Sequence, residues 1–461
     1  MQRLRTTLTL ALLTATLGAC VPSRSAVFGP VERDVAQRVG VTPRWGDERI
    51  PAAITALLAR PLDRDAAVRI ALASNRRLQA TYDELGIAAG DVASATVLAP
   101  TEVDLQYKGH DGGELEIEVI QDILDLLQLP QRRGAASAQL AAARARAVAA
   151  TVMLVASVER AVVDVAAAQQ DLELRQTAFD AASASADIVE RMRAAGNAPE
   201  LALVRERDQR ERLRIELARA QLEVEVAREA LNAVLGLTGA DTRWTLTERL
   251  PDAAEAAPAL DGLERDAVAA SLDLAALSAD ADAAAGRLGI ARTRAWLPAL
   301  GVGVATSRSN DHWDVGPALS VGLPIFDQQQ GPRARATAEL RRTRNEATAT
   351  AIELRAHARA TRQRVLQAHA EARHLRTVVL PLRQRILDEA VKQYNAMNAS
   401  SFELLTARRE LVDAGRQYID ALRRFHRAAA DTRALQRGAM PAAGADERAP
   451  MTAPAGTPAG H

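Results

Sequence analysis

Apolar residues recur at alternating steps of four and three along four long segments of the chain, namely Leu154–Val189, Leu213–Val234, Val365–Ile386 and Leu404–Ala428. Such heptad seams predict α-helices that pack in left-handed supercoiled pairs. A second apolar stripe on the first helix indicates two neighbouring helices, as in a ring or bundle, and consists of Val148, Val152, Val155 and Val162.

Glycine and proline are absent from long stretches of the chain, between Ala135 and Ala195, Glu200 and Leu235, and Arg333 and Leu380. Helices of this length are rare in globular domains. We expect Gly134 to open the first long helix, which would extend roughly 90 Å at 1.5 Å per residue. Pro381 lies within a later seam and should kink or loosen its helix locally.

Between the helical segments, each half of the chain contains two short stretches in which apolar and polar residues alternate. They are Glu102–Lys108, Glu114–Val119, Gly301–Val304 and Leu319–Leu323. A period of two predicts β-hairpins with one apolar and one polar face. Strands of roughly ten residues with an apolar face suit a membrane barrel. The alternative is a soluble hairpin packed on a helix.

The two faces of the first hairpin differ most in polarity. Its apolar side chains should face lipid, and they are Val103, Leu105, Tyr107, Leu115, Ile117 and Val119. Its carboxylates would then face inward and favour cations, and they are Glu102, Asp104, Glu114, Glu116 and Glu118. A solvated hairpin surface is the alternative for these carboxylates. Four strands cannot close a barrel, and open edges are excluded from lipid, so several chains would have to pool their strands.

The two halves of the chain repeat each other at a period of about 200 residues. Each half has the order helix, β-hairpin, long helix, turn, long helix. The first repeat covers residues 62–236 with its hairpin at 98–121, and the second covers 262–438 with its hairpin at 298–325. Residues 237–261 should form an equatorial segment, residues 20–61 an extended tether with one short helix near Ala52–Ala59, and residues 439–461 a disordered tail.

Composition supports long helices and excludes several classes of protein. The 461 residues carry 58 Lys and Arg against 58 Asp and Glu, and only 3% are aromatic. Zero net charge argues against nucleic-acid binding, and so few aromatic residues argue against several ordinary compact cores. We find no P-loop, nucleophile elbow or zincin motif. We therefore expect no enzymatic activity, no cofactor and no metal site.

The histidines give no strong metal signal. His369 and His374 are five residues apart and do not share a helical face. Glu353 and His357 are four residues apart and could meet on a helix, but a solvated polar pair explains them better than a pair of ligands.

The amino terminus resembles a bacterial lipoprotein signal. Arg3 and Arg5 precede an apolar stretch that is too short to span a bilayer, and Leu17-Gly18-Ala19-Cys20 follows it. By this resemblance residues 1–19 are a signal peptide, Cys20 is acylated, and Val21 favours the outer membrane. The alternative is a plain signal peptide with an incidental cysteine.

Three short motifs occur in a characteristic order. They are Ala71-Leu72-Ala73-Ser74-Asn75-Arg76-Arg77-Leu78, then Leu323-Pro324-Ile325-Phe326-Asp327 followed by Gln330-Gly331, and then Phe402-Glu403-Leu404-Leu405-Thr406-Ala407. They resemble, in turn, the opening motif, the junction from the last strand to a long helix, and the segment beyond the tip turn of the TolC-like outer-membrane factors. The resemblance covers Leu62–Gly438.

This resemblance implies a mainly α fold with a small β part. Three chains would form a twelve-stranded outer-membrane barrel and a twelve-helix periplasmic tunnel of antiparallel coiled coils. The implied partners are two further copies of the chain, a periplasmic adaptor, an inner-membrane pump of the RND type and outer-membrane lipids. The adaptor would meet the tip turns at Gly196, Asn197, Met397 and Asn398.

The resemblance also implies a periplasmic gate just beyond the tips. Glu403 lies there in the second repeat, and Ala202 is its counterpart in the first. Three copies of Glu403 in a closing ring would repel one another and attract cations. The alternative is an ordinary helix-start carboxylate beside the helix dipole.

Two hypotheses of different classes remain. The first is an exit duct of a tripartite efflux system that passively conducts what a pump delivers. The second is a lipid-anchored periplasmic coiled-coil scaffold without channel activity. The alternating strands favour the duct, because a scaffold has no need of hairpins whose apolar side chains point outward.

Overall fold

The computed structural model describes residues 23–46, 50–98, 100–109, 114–309, 312–325 and 328–441. The chain folds into two compact units. The first, which we call the sheet unit, is built from the described residues within 23–46, 76–150 and 272–353. The second, which we call the helix unit, is built from the described residues within 50–75, 151–271 and 354–441.

Helices dominate the described residues. They are α1 (Arg24–Val39), α2 (Ile50–Leu58), α3 (Arg64–Ser74), α4 (Arg76–Thr96), α5 (Leu124–Ala194), α6 (Glu200–Leu235), α7 (Leu263–Ala270), α8 (Leu272–Trp296), α9 (Gln330–His374), α10 (Leu380–Asn395) and α11 (Ser401–Gln436). Among the residues the structure describes, no helix contains a stretch long and apolar enough to cross a bilayer.

Four strands form one antiparallel sheet within the sheet unit. They are β1 (Glu102–Lys108), β2 (Glu114–Asp122), β3 (Leu300–Ser309) and β4 (His312–Val321), and they pair in the order β1-β2-β3-β4. The strands overlap the four stretches that the period of two predicted, but β3 continues to Ser309 and β4 ends at Val321, before the predicted Leu323. The mainly helical fold with a small sheet is therefore confirmed.

The N-terminal segment is not an extended tether, and that expectation is wrong. Residues 24–39 form α1, which Ser23 caps by accepting a hydrogen bond from the Ala26 amide. The apolar side chains of Val27, Phe28, Val31 and Val35 are buried, at spacings that put them on one helical face. Prolines at positions 22, 30 and 43 suggested extended chain, but Pro30 is accommodated inside the helix.

An aromatic cluster in the sheet unit holds α1 against α4. The ring of Phe28 lies 5.6 Å from that of Trp45 and 5.0 Å from that of Tyr82, centroid to centroid. Trp45 donates from Nε1 to Asp83 at 2.8 Å, and the guanidinium of Arg24 lies 4.5 Å from the centre of the Trp45 ring. Such aromatic and cation–π contacts add to the energy of burial.

The first long helix begins ten residues before Gly134, so the expected start is wrong. The carboxylate of Asp122 accepts hydrogen bonds from the amides of Leu124 (2.8 Å) and Asp125 (3.3 Å), which caps α5 directly after β2. Gly134 and Pro130 both lie inside α5. An isolated glycine is tolerated in a helix at a cost of about 1 kcal/mol.

Ion pairs join α5 to α11 along the helix unit. The carboxylate of Glu159 is buried and accepts from Arg433 at 2.9 Å and from Arg437 at 3.4 Å. Arg160 pairs with Asp431 at 2.8 Å. A buried carboxylate needs such partners, because an unpaired buried charge is strongly destabilising. Most of the buried residues of α11 are alanines, such as Ala421, Ala430 and Ala434.

A segment that we call the strap, Trp244–Asp261, crosses four long helices of the helix unit. Trp244 donates to Asn232 on α6 at 2.7 Å, and Arg249 pairs with Glu173 on α5 at 2.6 Å. Pro251 O accepts from His426 on α11 at 2.8 Å, and Ala254 O accepts from His369 on α9 at 2.7 Å. These contacts lie in residues 237–261, the predicted equatorial segment.

Asp252 of the strap binds two helices at once. It accepts a hydrogen bond from Tyr418 on α11 and pairs with Arg376, which follows α9. Burial, together with the contact to Asp252, raises the pKa of Tyr418 to about 12. Burial also lowers the pKa of His426 beside the strap. Both side chains are therefore neutral at pH 7 and hold the strap as neutral hydrogen-bonding groups.

The helix that contains Pro381 is irregular, as predicted. A π-helical segment, Leu375–Val379, separates α9 from α10, and Pro381 is the second residue of α10. Proline has no amide N–H to donate to residue 377, and its ring crowds that carbonyl. The wider π turn relieves this crowding.

The end of α6 packs closely on the break between α3 and α4. Asn75 leaves the helical conformation there and donates from Nδ2 to Val234 O at 2.9 Å, while the Ser74 hydroxyl donates to Leu235 O. Gly236 follows with φ +73°, and a Cβ on it would lie 2.9 Å from Ser74 O. The Ser74-Asn75 pair of the opening motif therefore holds the end of α6, because both side chains donate to its last carbonyl groups.

Gly236→Ala should therefore destabilise the helix unit more than an ordinary left-handed glycine would. Left-handed strain costs roughly 1–2 kcal/mol, and the contact with Ser74 O should raise the loss to about 3 kcal/mol. Gly239→Ala is the control, because Gly239 has φ +63° and a Cβ added to it would meet no atom within 4 Å. Thermal and urea denaturation followed by circular dichroism measures both, and equal losses would contradict the account.

Candidate functional site

The register of the sheet gives each of its faces a distinct character. Val103 pairs with Val119, and Val119 with Val304, so these three valines lie on one face. The same face carries Leu105, Tyr107, Leu115, Ile117, Val302, Trp313, Val315, Pro317, Leu319 and Val321. Thr306, Gln121 and Arg308 are polar members of this otherwise apolar face.

Most of the apolar face is open to solvent in the single chain. Leu105 is 66% exposed, Tyr107 71%, Val315 72% and Leu319 70%. A contiguous exposed apolar surface of this kind marks a protein or membrane contact. The side chains predicted to face lipid in the first hairpin thus lie on one side of the sheet.

The five carboxylates predicted to line a channel lie on the opposite face. Asp104 pairs with Glu118 across β1 and β2, Glu114 pairs with Lys108, and Glu102 pairs with Ile120. Lys108 Nζ binds the Glu116 carboxylate at 2.9 Å. Like charges directly opposite one another, as in Asp104 and Glu118, are unfavourable in an isolated sheet.

The polar face continues into the second hairpin, where the sequence analysis identified no site residues. Asp122 and Asp314 add two carboxylates to the face. Most of the other positions of the second hairpin on this face are small, namely Gly301, Gly303, Ala305, Ser307, Ser309, Gly316, Ala318 and Ser320, and His312 is the exception. The alternation of small and large residues from Leu300 to Val321 was the signal that could have predicted this. The polar face therefore carries mostly charged side chains in the first hairpin and mostly small side chains in the second.

Both outer strands of the described sheet have a free edge. β1 pairs only with β2, and β4 pairs only with β3. Exposed strand edges invite pairing with a further strand. An edge in lipid would leave its backbone groups unsatisfied, at several kcal/mol for each group.

The predicted tip turns connect the long helices in the same way in both repeats. Gly196 (φ +79°) follows α5, and Asn197 N donates to Met192 O at 2.8 Å. Met397 (φ +60°) follows α10, and Asn398 N donates to Gln393 O at 2.9 Å. Both are helix ends of the Schellman type. Met397 occupies the left-handed position without being glycine, and its side chain is 94% exposed.

The structure gives Glu403 partners at the start of its own helix. Ser400 caps α11, and its amide donates to the Glu403 carboxylate at 2.8 Å while the Glu403 amide donates to Ser400 Oγ at 3.3 Å. This reciprocal arrangement is a capping box. Its sequence signature is a serine three residues before a glutamate, and the sequence analysis did not identify it.

Two helices of the helix unit each carry an apolar stripe that is exposed in the single chain, and we call these the free helix stripes. α5 contacts α6 on one side and α11 on the other, and α11 contacts α10 through Arg383 and Glu410. On α6 the stripe consists of Val204, Ile215, Leu222 and Val226, and beside α10 it consists of Val378, Leu382 and Ile386. Each of these seven side chains is more than 40% exposed.

The remaining predicted positions add no chemical site. Cys20 lies outside the described residues, as do Phe326 and Asp327 of the second motif. Over the part of the chain that the structure describes, no three His, Cys, Asp or Glu side chains are grouped so as to hold a metal ion. The features that carry function are therefore surfaces: the two faces of the sheet, the tips and the free helix stripes.

Comparison with known proteins gives one relative in sequence and several in structure. No protein-family model matches the chain. The chain is 26% identical over 381 residues to the cobalt-zinc-cadmium resistance protein CzcC of Cupriavidus metallidurans, a match that covers 80% of this chain and 89% of CzcC.

Two solved outer-membrane proteins share the fold. The outer membrane protein VceC of Vibrio cholerae matches with a TM-score of 0.63 and 17% identity, over 86% of this chain and 97% of VceC. The CmeC outer membrane channel of Campylobacter jejuni matches with a TM-score of 0.63 and 15% identity, over 87% of this chain and 88% of CmeC. The similarity to CzcC and the fold shared with VceC and CmeC confirm the resemblance of this chain to the TolC-like outer-membrane factors.

Proposed function

We propose that this chain is one protomer of an outer-membrane exit duct in a tripartite efflux system. The observation that carries the proposal is the sheet with one exposed apolar face and one charged face. A sheet of this kind matches the strands of a membrane barrel, whose apolar residues face lipid while polar residues face the lumen. A periplasmic scaffold would have to keep the same apolar face in water, which is unfavourable.

The free edges of the sheet support assembly from several copies. Four strands are too few to enclose a lumen, and lipid excludes an open edge. Three copies joined edge to edge, β4 of one to β1 of the next, would supply twelve strands and leave no edge. Twelve strands also leave room for a channel, because the diameter of a barrel grows with the number of strands.

The free helix stripes also support assembly from several copies. Ile215 on α6 lies about 15 residues from the start of that helix, and Leu382 lies about 13 residues from the end of α10. The two stripes are therefore at similar heights above their tips. In a closed ring, α6 of one copy would pack on α10 of the next and cover both stripes.

The charged face suggests cations as the conducted species. Tripled in a ring, Glu102, Asp104, Glu114, Glu116 and Glu118 would give the lumen a negative potential. The relative CzcC is by name a resistance protein for cobalt, zinc and cadmium. We therefore favour divalent metal cations as the cargo, passed on by a periplasmic adaptor at the tips Gly196, Asn197, Met397 and Asn398 and by an RND-type inner-membrane pump.

A lipid on Cys20 would add an anchor in the outer membrane. The cysteine follows small residues after an apolar stretch, as at a lipoprotein processing site. Equal labelling of the wild type and Cys20→Ser by radioactive palmitate would refute the anchor while leaving the duct proposal intact.

The wild-type protein should form conducting steps in planar bilayers with a preference for cations. The combined change Asp104→Asn, Glu114→Gln, Glu116→Gln and Glu118→Gln should lower the cation-to-anion permeability ratio several-fold, measured by reversal potential, because the carboxylates set the lumen potential. Asp241→Asn is the control, since this exposed carboxylate lies in a 3-10 turn outside the sheet.

Leu105→Glu completes this test, because it places a charge on the proposed lipid face. A glutamate on the lipid face of a barrel is unfavourable, although it costs less than the roughly 2–4 kcal/mol of Arg or Lys at the bilayer midplane, so the variant should insert less well than the wild type. A wild type that never conducts would contradict the duct. An unchanged permeability ratio in the four-residue variant would contradict the assignment of the lumen face.

Two substitutions at Glu403 separate a gate from a helix cap. Glu403→Gln removes the charge but can keep the capping box, whereas Glu403→Ala removes both. If the carboxylate contributes to a closing ring, both variants should raise leak conductance and weaken block by divalent and trivalent cations from the periplasmic side. An effect of Glu403→Ala alone would leave Glu403 as a helix cap and refute its role in a gate.

A further inference from the structure

The four junctions between strands and helices lie at one end of the sheet. In this antiparallel sheet, Glu102 pairs with Ile120 and Leu300 pairs with Val321, so the starts of β1 and β3 lie beside the ends of β2 and β4. The helices α4, α5, α8 and α9 therefore all meet the sheet at this end. In the proposed duct, this end lies at the periplasmic surface of the outer membrane.

Exposed apolar side chains surround the same end of the sheet. Leu323 and Ile325 are exposed, and they continue the period of two that places Val321 on the apolar face. Trp296 is the last residue of α8, and it is 86% exposed. Tryptophan is enriched where a protein surface crosses the boundary between hydrocarbon and headgroups. The junctions therefore have the side chains expected at that boundary.

Arginine is concentrated on the helices that approach these junctions. The last ten residues of α8 contain three arginines and no carboxylate, while its three aspartates lie in the half farther from the sheet. Arg294 of α8 pairs with Asp125 at 2.9 Å. The first two turns of α9 contain Arg333 and Arg335, which form no ion pair within the residues that the structure describes. Basic side chains of this kind attract anionic headgroups.

A cleft between α8 and α9 brings two of the arginines together. It has a volume of about 530 Å³, and its lining includes Arg287 and Ala291 of α8 and Gly331, Arg335 and Glu339 of α9. The contact between Arg287 and the Glu339 carboxylate is 3.7 Å long, which exceeds the length of a hydrogen bond. Both guanidinium groups therefore keep donors for a ligand in the cleft.

The cleft lies near the depth of lipid headgroups when Trp296 marks the edge of the hydrocarbon. Ala291 precedes Trp296 by five residues, and Arg335 follows the start of α9 at Gln330 by five, so each lies about 8 Å from the junction along its helix. The headgroup layer of one leaflet is roughly 5–7 Å thick. Helical side chains lean toward the amino terminus of their helix, which directs Arg335 toward the sheet and the membrane.

We propose that the cleft between α8 and α9 binds the phosphate group of an anionic phospholipid in the periplasmic leaflet of the outer membrane. Arg287 and Arg335 bind the phosphate, and the acyl chains lie against Leu323 and Ile325. A guanidinium donates paired hydrogen bonds to phosphate oxygens. The adjoining apolar side chains favour a lipid over a free phosphate, because they would cover its acyl chains. The proposal rests on the duct, since it requires the sheet to lie in the membrane.

Lipid counting by native mass spectrometry tests the site. The full-length protein in an uncharged detergent is incubated with equal amounts of palmitoyl-oleoyl phosphatidylglycerol and the matching phosphatidylcholine, and the wild type should retain mainly phosphatidylglycerol. Arg287→Gln with Arg335→Gln should lower the bound phosphatidylglycerol roughly tenfold, because each arginine near a lipid surface contributes severalfold. Glu339→Gln removes the carboxylate of the cleft and should raise the bound amount.

Arg341→Gln with Arg344→Gln is the matched control. It removes the same charge from exposed positions of the same helix, but about 17–21 Å from the start of α9 and beyond the headgroup layer. Equal losses in the two double variants would overturn the proposal, because retention would then follow net charge alone. Displacement of phosphatidylglycerol by an equal concentration of glycerol 3-phosphate would also overturn it, because the cleft would then bind a free phosphate group.

Conductance of the same variants in planar bilayers separates the lipid site from the duct. Arg287→Gln with Arg335→Gln should conduct like the wild type, since neither residue lies in the sheet, and circular dichroism establishes that its helices are intact. A wild type that conducts without preferring phosphatidylglycerol would overturn the lipid site alone. A wild type that never conducts would contradict the duct, and a lipid preference lost only in the cleft variant would still support the site.

Discussion

Backbone hydrogen bonding in lipid is the constraint on which the arrangement of this molecule depends. A strand edge can be satisfied by water, but it has no partner in a hydrocarbon layer. The sheet presents an apolar face that is poorly suited to water and two edges that are poorly suited to lipid. Lipid against the apolar face resolves the first conflict, and strands of other copies paired with the edges resolve the second. The apolar face therefore argues for the membrane, and the edges argue for an oligomer.

The helices of the helix unit are held together with few large side chains. Its buried apolar side chains are mainly alanine, valine and leucine, so each alanine among them buries little area. Ion pairs such as Arg433 with Glu159 fix which helices meet and in what register. The strap then ties four helices together: Trp244 and Arg249 bind side chains of α6 and α5. The backbone carbonyls of Pro251 and Ala254 accept hydrogen bonds from histidines of α11 and α9. A composition of only 3% aromatic residues is sufficient for such a structure.

Most of the architecture could be predicted from the sequence, because helices and strands leave periodic patterns of apolar residues. Alternation in Glu102–Lys108 and in Glu114–Val119 predicted two strands and the division of their side chains between two faces, since each side chain's face follows from its position in a strand. Heptad spacing predicted the long helices for the same reason. The expectations that failed depend on single residues. Pro30 and Gly134 are tolerated inside helices whose packing outweighs their unfavourable propensities.

The candidate site was predicted less completely than the fold. The carboxylates of the first hairpin were found because charges alternate with valine, leucine and isoleucine. Asp122 and Asp314 were missed. The register between β2, β3 and β4 decides which of their residues share a face, and the sequence alone does not give that register. The order in which the strap crosses the helices could not be predicted from the sequence either. It depends on contacts between residues more than 100 positions apart, such as His369 with Ala254.

Cross-linking between copies tests the central claim, that the free stripes and edges are covered by further copies of this chain. Ile215→Cys on α6 and Leu382→Cys on α10 are combined in a Cys20→Ser background, and the membranes are oxidised. The account predicts covalent dimers and trimers on denaturing gels, with no larger species, because a closed ring of three has no free stripe. Arg214→Cys with Leu382→Cys is the matched control and should cross-link far less, since Arg214 points about 100° away from Ile215 around the helix. Monomers alone, or a ladder that continues beyond three chains, would contradict the account.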